Sequence, residues 1–572
     1  MHKKITTFLM LGALLAGALT MMAQTSANAP LQGNATEVNT QGSRPRPDYS
    51  KKFKEGKFFY YIIDEAAKTV GVAPANGMDD DMYIKHMEIP ETIKHMGNTY
   101  TVTEIGPAAF GNCFYLLSVK IPNTVKYIGD RAFTGTALES ITIPDGVEEI
   151  GDDCYNGCIK AKQLTIGKGL KVAGRDPFLG CWDLQNITVD PANTLYASKD
   201  GILYSKDMVT LIKCPAWRSA VTEVTLPSTV EKLGNGAFEY CEYITNIKLN
   251  EGLKEIGARA FHMCVSLKTL RFPATVEKIE DGSAFVLLRD CKQYEVAEGN
   301  THFETMLDGQ LLVDKAEKKV VSILYTMATD KLTIPEGIEA IGDKAMMVIY
   351  ENNDTEYDYR GRGRYCVELP STLKKVGVFA FSGTNIRSAK IPDGVETIPQ
   401  GCFDDCKKLN YVSLGKGCKY IGEGVFNNCD AMASSANSVL RVYAVEPPAL
   451  LKDKEGKDVK PFDEKMFLKT TLQVPSASLD KYQAVAAKGW SDFLKVVALE
   501  EQSAETISAD APAIVTLDGA LSVSTPKAGL VTIYTVDGKQ LYSTMQSRFT
   551  VELPQGIYLV TYMGKSYKAL VR

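Results

Sequence analysis

Histidine is scarce in this chain, with five in 572 residues. Beyond the N-terminal stretch only His86, His95, His262 and His302 remain, with no H-E-x-x-H and no paired metal spacing. A G-x-S-x-G elbow, a phosphate loop and a dinucleotide fingerprint are also missing. These absences leave no catalytic, cofactor-binding or metal-ligating residue to nominate. Basic charge is not in excess either: 64 Lys and Arg stand against 69 Asp and Glu, a net of −5. Nucleic acid, which needs a concentrated basic surface, is therefore not expected as a partner. After residue 30 no run is apolar enough to cross a bilayer, so no transmembrane segment is expected. At 45% hydrophobic and 23% charged residues the composition is ordinary for folded protein, which excludes bulk disorder.

The chain's first residues do carry a signal. Lys3 and Lys4 precede an uncharged apolar run from Phe8 to Met22, followed by small residues at Ala23 and Ala27-Asn28-Ala29. Residues 1–29 read as a secretory signal peptide, with cleavage after Ala23 favoured because Pro30 follows Ala29. The expected location is extracellular, at the outer cell surface. Thirteen cysteines suit such a compartment, but an odd number cannot all pair.

The body of the chain repeats itself. "LLSVKIPNTVKYIGDRAF", "LESITIPDGVEEIGDDCY", "VTEVTLPSTVEKLGNGAF" and "ITNIKLNEGLKEIGARAF" are four versions of one phrase. The ring near each phrase's end gives a ruler: Phe110, Phe133, Tyr155, Phe178; Phe238, Phe261, Phe285; then Met346 as a stand-in, Phe381, Phe403 and Phe426. Within each group the spacing is 22 to 24 residues, except that Met346 precedes Phe381 by 35, the excess holding the polar stretch "ENNDTEYDYRGRGR". Alternation such as Ile141-Thr142-Ile143 predicts a short strand with one apolar face, ended by a proline such as Pro144 that cannot donate to a ladder. Glycines such as Gly129, Gly234, Gly257 and Gly377 are expected to permit a turn that other residues adopt only with strain. No phrase can bury its apolar face alone, so stacked neighbours must share a core. Two gaps of about 60 residues hold similar inserts, with Asp200-Gly201 and Asp308-Gly309 as hairpin turns.

These phrases resemble the BspA-like leucine-rich-repeat family of bacterial surface proteins, whose period falls in the range for leucine-rich repeats. Gly167, Asn250 and Gly415 depart from it by replacing the proline, and Tyr155 and Met346 by replacing the phenylalanine. The resemblance implies a mainly β solenoid of about 23-residue repeats over residues 101–430, with inserts at about 190–220 and 296–328. Residues 30–50 read as a flexible leader, 51–100 as an N-terminal β cap and 431–498 as a C-terminal cap closed by Trp490 and Phe493. Residues 499–513 have a linker's composition, and 514–572 alternate with period two, as in a small β-sandwich. The closing "LPQGIYLVTYMGKSYKALVR" resembles the sorting domains of type IX secretion cargo in Bacteroidetes. A cleaved sorting domain and a retained sandwich both fit.

Cys113, Cys158, Cys181, Cys241, Cys264, Cys406 and Cys429 each follow the ring position by three residues, which predicts a buried column of free thiols. Bridges such as Cys154–Cys158 or Cys402–Cys406 stay open. His262, inside a repeat, reads as a satisfied structural histidine. The run Asp79-Asp80-Asp81 and the trio Arg360, Arg362 and Arg364 read as solvated loops rather than ion sites. What remains is surface. The outward residues Lys120, Thr142, Thr165, Thr188, Lys248, Arg271, Thr333, Glu368, Lys390 and Ser413 form the candidate binding face. At ~4.8 Å per strand this row would run roughly 50 Å. The expected function is non-enzymatic adhesion to protein or glycan ligands on host cells, extracellular matrix or other bacteria. A structural envelope spacer and a glycan-binding module of polysaccharide use are the alternatives.

Overall fold

The computed structural model describes residues 47–75, 84–217, 221–324, 331–348, 366–435, 437–499, 513–517, 520–525, 529–535, 538–554, 556–562 and 565–571. The signal peptide, the Asp79–Asp81 run and the Arg360–Arg364 trio lie outside these residues. The chain is mainly β and divides into two compact units, 1–497 and 498–572.

In the first unit two rows of short strands run side by side. Ile141, Leu164 and Ile187 pair in parallel, as do Thr142, Thr165 and Thr188 one residue on. A second row pairs Tyr127–Ile128, Glu149–Ile150 and Val172–Ala173 in the same sense. Strand Ser140–Ile143 alternates exposed and buried, as period-two patterning requires. Its inward Ile141 and Ile143 join the same core cluster as Val147, Ile150 and Tyr155.

The rings of successive phrases stack face to face. Centroids are 5.2 Å apart for Phe110–Phe133, 5.1 Å for Phe133–Tyr155 and 6.1 Å for Tyr155–Phe178, with interplanar angles of 17° or less. The row resumes with Phe238, Phe261 and Phe285, and again with Phe381, Phe403 and Phe426. Each such pair adds ~0.5–1.5 kcal/mol beyond the area it buries. The last row continues to Phe462, which lies outside any repeat phrase. Trp490 and Phe493 then meet Phe462 edge-on at 5.0 and 5.2 Å and close the stack.

The glycines of the phrase work differently from expectation. Gly129, Gly234, Gly257 and Gly377 do not adopt positive φ. A side chain at Gly129 would place its Cβ 2.5 Å from the Pro107 nitrogen, and one at Gly377 would lie 2.4 Å from the Asp343 nitrogen. These residues are small because the backbone of the preceding coil passes against them. The left-handed residue comes two positions later, at Arg131, Gly236, Arg259 and Phe379, and is often not glycine.

Each insert is a three-stranded antiparallel element: Tyr196–Lys199, Ile202–Ser205 and Thr210–Lys213 in one, Phe303–Met306, Leu311–Asp314 and Lys319–Ile323 in the other. The Asp200-Gly201 turn has φ of +52° and +74°, the pair of left-handed residues a tight hairpin needs. The insert seals the outward row, since the Gly201 carbonyl accepts from the Ile187 N–H and Gly309 does the same for Tyr294. Its third strand then joins the second row, pairing in parallel with Lys232–Leu233 or Ala340–Ile341. Asn193 holds the first insert to the preceding coil. Its amide donates to the Gly167 and Leu170 carbonyls and its oxygen accepts from Leu195 and Tyr196. Asn300 repeats this with Pro273, Val276, His302 and Phe303.

At the N-terminal end, Phe58–Asp64 and Thr69–Ala73 form a hairpin whose second strand pairs with Asn98–Ile105 and so covers the first edge. The second unit holds two antiparallel sheets. One orders Ala513–Leu517, Ala520–Ser524 and Arg548–Glu552; the other orders Gln540–Thr544, Val531–Thr535, Gly556–Tyr562 and Lys565–Val571. Leu521, Val523 and Phe549 from the first share a core cluster with Ile533, Val560 and Tyr562 from the second.

Tyr155 carries a buried hydroxyl with no hydrogen-bond partner, inside a stack otherwise built from phenylalanine. Tyr155→Phe is therefore expected to raise stability by about 1 kcal/mol, since a buried unsatisfied group is removed at constant shape. A urea midpoint at or below that of the parent protein would refute this. Asn193→Ala strands two carbonyls and two N–H groups and is expected to cost about 2–3 kcal/mol. Hydrogen exchange should show the loss first in residues 190–213.

Candidate functional site

The outward positions fall in five separate hydrogen-bonded ladders rather than one row. Glu88 pairs with Lys120; Thr142, Thr165 and Thr188 align; Thr225 pairs with Lys248; Arg271 pairs with Glu295. The last ladder aligns Thr333, Glu368, Lys390, Ser413, Arg441 and Gln473. An insert hairpin intervenes after Thr188 and after Glu295, so a continuous 50 Å row is not what forms. Sequence reasoning missed Glu88, Thr225, Glu295, Arg441 and Gln473. Thr225 and Glu295 lie one repeat from their partners, whereas Glu88 lies in the N-terminal cap, ahead of the first phrase, and Arg441 and Gln473 lie in the closing segment beyond the last.

Nine of the ten nominated residues are exposed: Lys120, Thr142, Thr165, Thr188, Lys248, Arg271, Thr333, Glu368 and Lys390. Ser413 is not, at 5% exposure. Its short side chain stands in register between Lys390 and Arg441, both much longer. Several cations of the face are already spoken for. Lys120 reaches Glu88 at 2.5 Å, while Lys248 and Arg271 lie 3.9 Å from Glu223 and Glu251. Lys331 holds Glu368 at 2.6 Å, which draws the Glu368 carboxyl below its usual range.

Beside the second strand row runs a charge ladder that the sequence reading did not extract. Glu148 sits between Lys126 and Lys171 at 3.6 and 2.8 Å; Lys254 meets Glu231 at 2.8 Å; Glu339 sits between Lys318 and Lys374 at 2.8 and 2.6 Å; Lys419 meets Glu396 at 2.7 Å. Alternation of Lys and Glu at one phrase position was the available signal. Exposed pairs of this kind contribute little each and weaken with salt.

The thiols are more than apolar filler. Cys158 donates to the Phe133 carbonyl at 3.3 Å, Cys181 to Tyr155 at 3.4 Å, Cys264 to Phe238 at 3.1 Å, Cys406 to Phe381 at 3.2 Å and Cys429 to Phe403 at 3.1 Å. Each bond links one coil's thiol to the ring residue of the coil before. Burial pushes the Cys264, Cys406 and Cys429 thiols up, Cys406 to about 12, which makes them poor nucleophiles. Thr136 and Thr384 occupy the same position and donate to the Phe133 and Phe381 carbonyls.

One buried charged cluster spans the first insert. Arg259 lies 2.7 Å from Asp176 before the insert and 3.3 Å from Glu239 after it. His262 Nδ1 lies 3.2 Å from Glu239, and Lys213 completes the group at 3.9 Å. His262 is thus only half satisfied, because its buried Nε2 has no hydrogen-bond partner. Next to the cluster a hollow of about 20 Å³ lies between Asp176, Lys213, Asn235 and Glu239, room for a single water. Among the described residues no group of three or more His, Cys, Asp or Glu could hold a metal ion.

Burial alone would raise the Glu239 carboxyl, but Arg259, His262 and Lys213 outweigh it and hold it at about 2. A carboxyl depressed in the folded state stabilises above its unfolded value, near 4.5, and loses that contribution as pH falls toward 2. Glu239→Gln should therefore unfold more easily at pH 7, with the gap from the parent protein narrowing below pH 4.5. A gap that stays constant from pH 6 to pH 2.5 in denaturant titrations would contradict this.

The BspA type leucine rich repeat region matches the chain in six copies over residues 81–199, 214–306 and 364–439, just over half of its length. No curated protein matches it. Among solved structures, a leucine rich cell surface protein from Faecalibacterium prausnitzii is 19% identical, with 67% of this chain and 94% of that one covered and a TM-score of 0.35. A leucine-rich repeat protein from Eubacterium ventriosum is 19% identical, covering 70% and 96%, with a TM-score of 0.39. Another from Bacteroides ovatus is 21% identical, covering 78% and 100%, with a TM-score of 0.32. Taken with the recurring phrases, the family match establishes that this chain belongs to the BspA-type leucine-rich-repeat proteins.

Proposed function

We propose that the protein is an exported surface protein of a Bacteroidetes bacterium that adheres to protein ligands through its outward strand face, without catalysing a reaction. On this reading the stacked coils wind as a solenoid with a period near 23 residues, the signal peptide is removed on export, and the second unit is a β-sandwich that serves as a type IX sorting domain. Among the described residues no helix is long and apolar enough to cross a membrane. The carrying observation is the register of the outward side chains, which sets Thr142, Thr165 and Thr188, and likewise Thr333, Glu368 and Lys390, in exposed rows on a fixed backbone. A rigid face of that kind suits many shallow contacts with another protein. A second reading, an envelope spacer, draws on the ion pairs that occupy Lys120, Lys248 and Arg271.

Purified protein is expected to bind extracellular-matrix proteins or whole cells saturably, and alanine at Thr142, Thr165, Glu368 and Lys390 together should weaken that binding at least tenfold. Uniform absence of saturable binding would count against adhesion. Normal function in the alanine variant, with failure on deleting one whole coil, would favour the spacer.

A further inference from the structure

We propose that the last outward ladder carries a recognition site for an extended acidic peptide, centred on Arg441 and Lys390. This rests on the adhesive reading above and names the chemistry that the face selects.

Arg441 and Lys390 differ from the other cations of the face. Among the described residues neither has a carboxylate within 4 Å, and the nearest acid of the ladder, Glu368, is held by Lys331 and by the Thr333 hydroxyl at 3.2 Å. Arg441 is nonetheless held firmly. Its Nε donates to the Gln473 side-chain oxygen at 2.9 Å and its Nη1 to the Tyr443 hydroxyl at 3.3 Å, while the guanidinium lies over the Tyr411 ring at 5.6 Å. Those contacts use two of its five N–H donors. The remaining three sit on the two Nη nitrogens, the pair that grips a carboxylate with two parallel bonds. A guanidinium already fixed in place loses little conformational freedom on binding.

Ser413 lies between the two cations in register, and its side chain is too short to stand between them. Two strand spacings separate Lys390 from Arg441, roughly 10 Å. A chain extended as polyproline II advances ~3.1 Å per residue with three residues per turn, so carboxylates three residues apart share a face and match that distance. The peptide would cross the strands, with Tyr411 and Tyr443 beside it. Tyrosine and arginine together are typical of protein contact centres. A sugar is less well served, because Arg441 covers the Tyr411 ring on which it would stack.

The test uses the full chain and fluorescence anisotropy. The probes are blocked, extended Gly/Ser peptides bearing two aspartates three residues apart, or two asparagines at those positions. Saturable binding of the aspartate peptide is expected, at least tenfold tighter than the asparagine peptide. Arg441→Lys keeps the charge but loses the paired donors and should weaken binding at least fivefold; Lys390→Ala should weaken it as well, both with unchanged melting. Equal binding of the two peptides, or none, would overturn the proposal. So would an oligouronate that binds while the aspartate peptide does not, which would point to an acidic glycan instead. Should Arg441→Lys fold poorly, Lys390→Ala and the aspartate–asparagine contrast on the parent protein still decide. Lys390→Ala in the cell and matrix assay separates the two levels: full adhesion by this variant sinks the peptide site while the adhesive reading stands.

Discussion

Everything in the first unit depends on how closely one coil lies on the next. Stacked rings at 5.1 to 6.1 Å are possible only if the backbone between them also closes to contact, and Gly129 and Gly377 mark where it does. The same closeness lets a thiol of one coil reach the ring residue's carbonyl in the one before. It also lets Asp130 and Asp152 accept from the Asp152 and Arg175 N–H groups of the following coil. Aromatic attraction, side-chain hydrogen bonds and parallel strand pairing thus enforce one spacing. Burial of apolar surface supplies the bulk of the stability, while these linked contacts select the register.

A good part of this was legible in the residues. A fixed ring position defines a ruler, and every ring on it except Met346 takes part in a stack; the family match agrees with that phrase. Glycine was misread for a physical reason. In sequence a glycine that permits positive φ looks the same as one that makes room for a neighbour, and only the neighbouring coil tells them apart. The left-handed positions were hidden because Arg131, Arg259 and Phe379 occupy them. His262 reads in sequence as satisfied, but its Nδ1 meets Glu239 and its buried Nε2 has no hydrogen-bond partner, a matter of packing between adjacent coils.

The face was legible in part. Strand alternation told which side chains point outward, and nine of ten do so with exposure. It could not tell that Ser413 is sheltered, since shelter comes from the length of the residues above and below it. Nor could it show that the row breaks at the inserts, because pairing between Gly201 and Ile187 is set by hairpin geometry and not by the repeat. Arg441 and Gln473 were overlooked because the ladder runs on past the point where the phrase stops.

The two hairpin inserts have a bearing on how such a chain changes over generations. Each one terminates the outward row while its last strand primes the inner row for the following coils. A block of coils bounded by hairpins is therefore sealed on one side and seeded on the other. Gene duplication or loss of an entire block would leave no raw sheet edge, so lineages are free to shorten or extend the protein in cassettes and to vary what each cassette displays.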